Sequence, residues 1–181
     1  MSKLSEYAKY VDERIENNEL TNQNYIGVDN LLPNRGGVKS SNYKPKDGNS
    51  IRFKKDDILI GNIRPYFKKI WLATFDGGCS SDVLCIRPNN LKHSRYLYSC
   101  LSQDAFFDYD MAGSKGSKMP RGDKKHIMNF ELEIPGNYKE IGDIIINIEK
   151  QIKRNNAMVQ KLQCFKPALN FSRNGGIIYA C

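Results

Sequence analysis

The stretch DILIGNIRPYFKKIWLATFDGGCSSDVLCIRP, Asp57 to Pro88, decides the fold. Within it Ile58 to Gly61, Ile70 to Thr74 and Val83 to Ile86 are runs of β-branched, aromatic and aliphatic residues. The segments between them, NIRPYFKK and FDGGCSSD, supply the proline, glycine and aspartate of turns. Ile51 to Phe53, set off by KKDD, adds another run, so the middle third predicts a small mixed sheet. Upstream, Tyr25 to Val28 is strand-like, Pro33, Asn34, Gly36 and Gly37 form a turn that carries Arg35, and the run to Gly48 is polar. From Lys3 to Glu16 the residues Leu4, Ala8, Val11 and Ile15 recur at helical spacing and predict an amphipathic helix. Downstream, Ser94 is a candidate N-cap for one helix to about Tyr109, with Leu97, Cys100 or Leu101, Ala105 and Tyr109 on one face. A helical turn over Lys124 to Met128 and an edge segment, FELEIP, close an α/β (α+β) domain over residues 1–137.

Beyond that domain the pattern changes. Between Glu140 and Phe165 there is no proline, and Ile141, Ile145, Ile148, Ile152, Asn155, Val159 and Leu162 alternate by four and three. A narrow apolar seam on an otherwise polar helix predicts a coiled-coil arm over residues 138–166 rather than a helix lying on its own domain. Asn155 on that seam is a register-fixing residue, and the arm is about 39 Å long at the helical rise. Residues 167–181 continue neither pattern and read as an atypical tail.

The chain has 181 residues, 28 Lys and Arg against 20 Asp and Glu, and a formal net charge of +8. That balance favours a nucleic acid, an anionic membrane or an acidic protein as partner. Apolar runs fall far short of the about 20 residues a membrane span needs, and MSKLSEYAKYVDERIE has no signal-like core, so a cytoplasmic protein is expected. Cys79, Cys85, Cys100, Cys164 and Cys181 fall at irregular separations with no CxxC pair, which predicts free, mostly buried thiols and no zinc site. P-loop, GxGxxG, HExxH and GxSxG motifs are absent, and the carboxylate pairs Asp56 with Asp57 and Glu131 with Glu133 read as solvated or helix-capping groups. The sequence therefore nominates no catalytic residue, metal or cofactor.

It does nominate a polyanion-binding surface. The loop GSKGSKMPRG, Gly113 to Gly122, combines glycines with Ser114, Lys115, Ser117, Lys118 and Arg121, which suits phosphate oxygens, although a solvated surface turn has the same composition. In GNIRPYFKKIWLA the cations Arg64, Lys68 and Lys69 interleave with Tyr66, Phe67 and Trp71. On a strand, alternation puts Arg64, Tyr66 and Lys68 on one face and Phe67 and Lys69 on the other. Arg64 suits guanine and Asn62 adenine in the major groove, while Phe67 and Trp71 are expected in the core.

These residues resemble a known family. YIGVDNLLPNRGG (Tyr25 to Gly37), Asp57 to Pro88, YLYSCLSQDAFFDY (Tyr96 to Tyr109) and GSKGSKMPRGDKKHIMNFELEIP (Gly113 to Pro135) are similar, as an ordered set, to the target recognition domain of DNA specificity (S) subunits of type I restriction–modification enzymes. The resemblance runs from about Leu4 to Leu162. It implies a non-catalytic α/β recognition domain that reads duplex DNA and a spacer helix that docks methyltransferase (M) subunits, with the restriction (R) subunit joining through the complex. Full-length S subunits carry this unit twice with antiparallel helices, so one unit implies a half-sized subunit or a fragment that homodimerises through its helix. The helix entry, PGNYKEIGD, departs from the family's usual proline-rich, Glu-Gln-containing entry. The competing reading is a basic protein-interaction and oligomerisation module.

Overall fold

A computed structural model describes residues 1–171, the backbone alone for residues 153 and 164–171. Residues 1–143 form one compact unit and the chain from Ile144 belongs to a second. The first unit opens with β1 (Ser2–Lys3), α1 (Leu4–Tyr7), β2 (Ala8–Tyr10), β3 (Arg14–Glu16) and β4 (Tyr25–Ile26). The hairpin β5 (Leu31–Leu32) and β6 (Gly37–Val38) precedes β7 (Asn49–Phe53), β8 (Ile58–Gly61), β9 (Ile70–Leu72), β10 (Gly77–Cys79) and β11 (Val83–Pro88). Then come α2 (Ser94–Leu101), α3 (Asp104–Ala112), α4 (Lys124–Met128), β12 (Glu131–Leu132) and α5 (Tyr138–Phe171).

The strands divide between two four-stranded sheets, β3-β7-β10-β4 and β2-β11-β8-β9, where the sequence predicts one small sheet. The first is mixed, because β10 runs parallel to β4 and antiparallel to β7. The division falls in the KKDD turn, where Asp56 takes a left-handed backbone (φ 71°) and redirects the chain. Beside it Asp57 is fully buried, accepting from Lys54 N at 2.7 Å and from Arg87 Nε and Nη2 at 2.8 Å each. This carboxylate is a buried ion pair and not the solvated group expected; it also drives the Arg87 guanidinium further up.

Both faces of the second sheet are covered. Leu59 opposes Trp71 and Cys85 across β8, and with Val83 they join Ile26, Ile51, Phe53 and Cys79 of the other sheet in one core cluster. Alternation sends Ile58, Ile60, Ile70, Leu84 and Ile86 to the opposite face, and α2 packs on β9 and β11. A strand covered on both faces has no polar side to show, which is why ILIG reads as a continuous apolar run.

Two helices depart from expectation. The Lys3–Glu16 periodicity yields only the single turn α1. The next residues become β2, pairing with β11 over Ala8↔Pro88 to Tyr10↔Ile86, and β3, pairing with β7. Leu4, Ala8 and Val11 are buried either way, and strand pairing supplies backbone partners as well. The expected helix from Ser94 to Tyr109 breaks where Gln103 adopts an extended backbone (φ −75°, ψ 154°). Ser94 is not its N-cap: the preceding turn is capped by Asn90, whose side chain accepts from Lys92 N, and the Ser94 hydroxyl is buried without a partner. The edge segment forms as read, with Ser2↔Leu132 and Lys3↔Glu131 paired.

The helix α5 begins at the expected Tyr138 and runs 34 residues, about 51 Å at the helical rise. Of the tail, residues 172–181 lie outside the described residues, as do the side chains of Cys164 and Cys181. Cys79 and Cys85 are free and buried, and Cys100 is free and half-buried.

Candidate nucleic-acid interface

Three segments far apart in sequence are knit together by backbone hydrogen bonds. The loop after α3 closes on itself through Lys115 N to Arg121 O (3.0 Å) and Arg121 N to Lys115 O (2.9 Å), leaving residues 116–119 exposed at its tip. Its return strand docks on the segment after β8, with Arg64 N donating to Pro120 O at 2.8 Å and Gly122 N to Asn62 O at 3.3 Å. That segment turns through Pro65–Phe67 and is held from its far side by the β5–β6 turn, where Asn34 N donates to Phe67 O (2.8 Å) and Arg35 N to Lys68 O (2.9 Å). Every polyanion-binding residue nominated from sequence lies on one of these segments: Arg35 on the β5–β6 turn, Asn62, Arg64, Tyr66, Lys68 and Lys69 on the segment after β8, and Ser114, Lys115, Ser117, Lys118 and Arg121 on the loop after α3.

NIRPYFKK is not a strand. Pro65 has no amide to donate to a ladder, and Arg64 (φ 53°) and Lys68 (φ 51°) both take left-handed backbones around a single 3-10 turn. The strand alternation assigned to Arg64, Tyr66, Lys68, Phe67 and Lys69 therefore does not arise. Trp71 is in the core as expected, but Phe67 is 38% exposed and Tyr66 46%.

Most of the cations have carboxylate or carbonyl partners. Arg35 donates to Ser102 O and to Asp104, with its guanidinium 5.6 Å from the Phe107 ring centroid. It thus takes up a carbonyl released where the predicted helix breaks. Lys68 Nζ donates to Asp104 Oδ1 at 2.7 Å, and Lys68 with Arg35 holds the Asp104 carboxyl down at about 2. Lys69 Nζ donates to Val28 O at 2.8 Å. Lys115 pairs with Asp123 (2.7 Å), and this pair, with backbone donors from α4, lowers the Asp123 carboxyl to about 2. Arg121 pairs with Asp82 at 3.1 Å. Ser114 Oγ donates to Met111 O at 2.8 Å, while Ser117 and Lys118 are exposed on the tip. Sequence reading missed Asp82, Asp104 and Asp123, because nothing local marks an acid as the counter-ion of a base many residues away.

Beneath the loop's root lies an unpaired polar cluster. Asp110, at the end of α3, is 0% exposed, and among the described residues neither of its carboxylate oxygens nor the buried Asn62 Oδ1 has a hydrogen-bond partner. Gly122 rests on it so closely that a Cβ there would meet Asp110 Oδ1 at 2.3 Å and Asn62 Oδ1 at 2.9 Å. Burial raises the Asp110 carboxyl to about 6, against an opposing pull from His126. His126 fixes the other end of the loop: its ring stacks on Tyr109 at 4.0 Å, its Nε2 lies 2.9 Å from Tyr109 O, and Tyr109 Oη donates back to His126 O at 3.1 Å. Asp123 caps α4 by accepting from Lys125 N and His126 N.

Along α5, Ile141, Ile145, Ile148, Ile152, Asn155, Val159 and Leu162 fall on one helix at the spacing read from sequence. Ile148, Ile152, Val159 and Leu162 are 50–58% exposed. Among the described residues no helix is long and apolar enough to cross a membrane.

A family described as type I restriction modification DNA specificity domain matches residues 3–163. The chain is 28% identical over 83 residues to the type I restriction enzyme EcoDI specificity subunit of Escherichia coli, a match covering 46% of this chain and 18% of that protein. Its fold is similar to that of the HsdS subunit from Thermoanaerobacter tengcongensis (TM-score 0.63, 16% identity, 98% of this chain and 50% of that one). It is similar also to a chain from a structure of type I R-M complex assembly and conformational transition (TM-score 0.63, 19% identity, 98% and 50%). The S subunit of M. genitalium is more distant (TM-score 0.56, 13% identity, 92% and 43%). The chain spans half the length, or less, of these relatives.

Proposed function

Since the chain belongs to the family of type I restriction-modification DNA specificity domains, we propose that it is a non-catalytic subunit that reads a short half-site in duplex DNA and brings methyltransferase and restriction subunits to it. The observation that carries this reading is the knitting of the segments bearing Arg35, Arg64, Tyr66, Lys68, Lys69 and the Gly113–Gly122 loop into one basic region, with Asn62 buried beneath it and not on its surface. Lys115 and Arg121 are the solvent-facing ends of their pairs with the half-buried Asp123 and Asp82, and phosphates compete for such cations at modest cost, because ion pairs at the surface contribute little. Lys118 carries its charge at the tip. Half-exposed apolar residues of α5 are the surface through which the chain pairs with a second copy and docks M subunits. Two domains held by an antiparallel helix pair read a bipartite target.

Filter binding to random-sequence duplex DNA at two salt concentrations tests this. Replacing Lys115, Lys118 and Arg121 together with alanine should weaken binding to every duplex and flatten the salt dependence by about 0.9 per lost phosphate contact. Unchanged affinity and slope in the variant, or wild-type affinity that ignores salt, would discard the reading in favour of an acidic protein partner.

A further inference from the structure

We propose that Tyr66 and Phe67 form an aromatic wedge that enters the base stack of the bound duplex and opens one base step; this rests on the reading of the basic face as a DNA surface. The two rings are neighbours, 4.8 Å between centroids at 54°, and both stand in solvent at the apex of the Pro65–Phe67 turn. Two adjacent exposed aromatics on one turn make a small contiguous apolar patch, the kind of surface that marks a contact site.

Here the chain also spends backbone strain to display them. Five non-glycine residues have positive φ among the described residues, and four of these, Asn34, Arg35, Arg64 and Lys68, lie in the two hydrogen-bonded segments that frame the rings. Strain of this kind persists only where the surroundings over-determine it, and it collects at functional sites. The turn is closed internally by Phe67 N to Arg64 O (3.0 Å) and Lys68 N to Pro65 O (2.8 Å), and is braced by Asn34, Arg35 and Pro120. A wedge must be stiff to unstack bases, and this one is fixed at both ends.

Its surroundings select the occupant. Arg64, Lys68 and Lys69 lie within three residues of the rings, Lys68 and Lys69 holding Asp104 and the Val28 carbonyl, and the loop bearing the exposed Lys118 and Arg121 docks directly on Arg64. An apolar protein groove gains nothing from a cationic rim. A duplex offers both surfaces needed, an apolar base stack between two rows of phosphates, and insertion of aromatic or aliphatic side chains with cations on the flanking phosphates is how stacks are opened. Met119, 50% exposed, precedes the Pro120 that this loop contact uses.

The test uses the full chain and a duplex selected by it from a random library, with 2-aminopurine placed at successive positions. Wild type should give a fluorescence rise of severalfold at one step. Tyr66→Ala with Phe67→Ala should abolish that rise and lower cognate affinity about tenfold, with the salt slope unchanged. Thermal unfolding establishes that the double variant folds, and Tyr66→Ala alone serves if it does not. Salt-dependent binding with a flat 2-aminopurine signal at every position overturns the wedge while leaving DNA recognition standing. Loss of affinity on replacing thymine by uracil, with no step opened, also overturns it and shows the rings against thymine methyl groups. Absence of any salt-dependent binding overturns both readings.

Discussion

Asp110 is the least settled residue of the recognition unit: a carboxylate without exposure, and without side-chain hydrogen bonds among the described residues, under the loop's root, faced by Asn62, Gly122 and His126, with Tyr10 close enough for its charge to interact. Its folded carboxyl sits at about 6 against an ordinary 3.8. Below 3.8 both folded and unfolded chains hold the proton; between the two values only the folded chain does, so stability falls as pH climbs, and above about 6 the loss is complete. Asp110→Asn removes the charge and places an amide donor where Asn62 Oδ1 lacks one. We predict that this variant is more stable than the parent at pH 7.5 by ~2–3 kcal/mol, with the advantage vanishing by pH 4, as read by urea unfolding across that range. A parent and variant of equal stability at pH 7.5 would show the carboxylate to be better solvated than its burial implies. The cations of this face were legible in the sequence because Gly, Ser, Lys and Arg together leave nothing to bury. Their anchoring was not: Arg35 and Lys68 meet Asp104 only because α3 packs against the turn before it, a relation that no local pattern encodes.

Among elements, β10 is the most constrained by its own sequence. It lies between β7 and β4, and a Cβ on Gly77 would fall 2.1 Å from the Asn24 carbonyl oxygen and 2.8 Å from the Phe53 ring. Gly77→Ala should therefore cost about 3 kcal/mol or more and lower the thermal midpoint correspondingly, because backbone on one side and a core aromatic on the other leave no room to adjust. Strands β7, β8, β9 and β11 were legible as apolar runs between turn residues. The N-terminal stretch was not legible as strands, because Leu4, Ala8 and Val11 satisfy a helical period and also a pair of edge strands, and period alone does not weigh the backbone partners on offer in β11 and β7. The helix α5 was legible because its apolar spacing needs no tertiary partner to set it. Ile148→Asp with Ile152→Asp puts charge into that seam, and sedimentation should change from dimer to monomer while the recognition unit's thermal transition stays where it was. A parent that sediments as a monomer and captures M subunit no better than the variant removes α5 as the docking surface.

At the scale of the molecule, the pairing through α5 proposed above would make helix length the ruler between half-sites. Four residues added or removed near Asn155 move the arm by about 6 Å with its helical phase roughly kept. Methylation with M subunit on a library of spacers should then shift its optimum by a base pair or more, the half-site bases unaltered; a fixed spacer with changed half-site bases would refute the ruler. The pairing of β1 with β12 acts at this scale too. Ser2 opposite Leu132, with Leu4 N bonded to Phe130 O at 2.8 Å, brings the entrance and the exit of the recognition unit to one spot. Such a unit is a closed bead on its string. A second such unit joined to the same polypeptide, or one separated from it, leaves these strand pairings undisturbed.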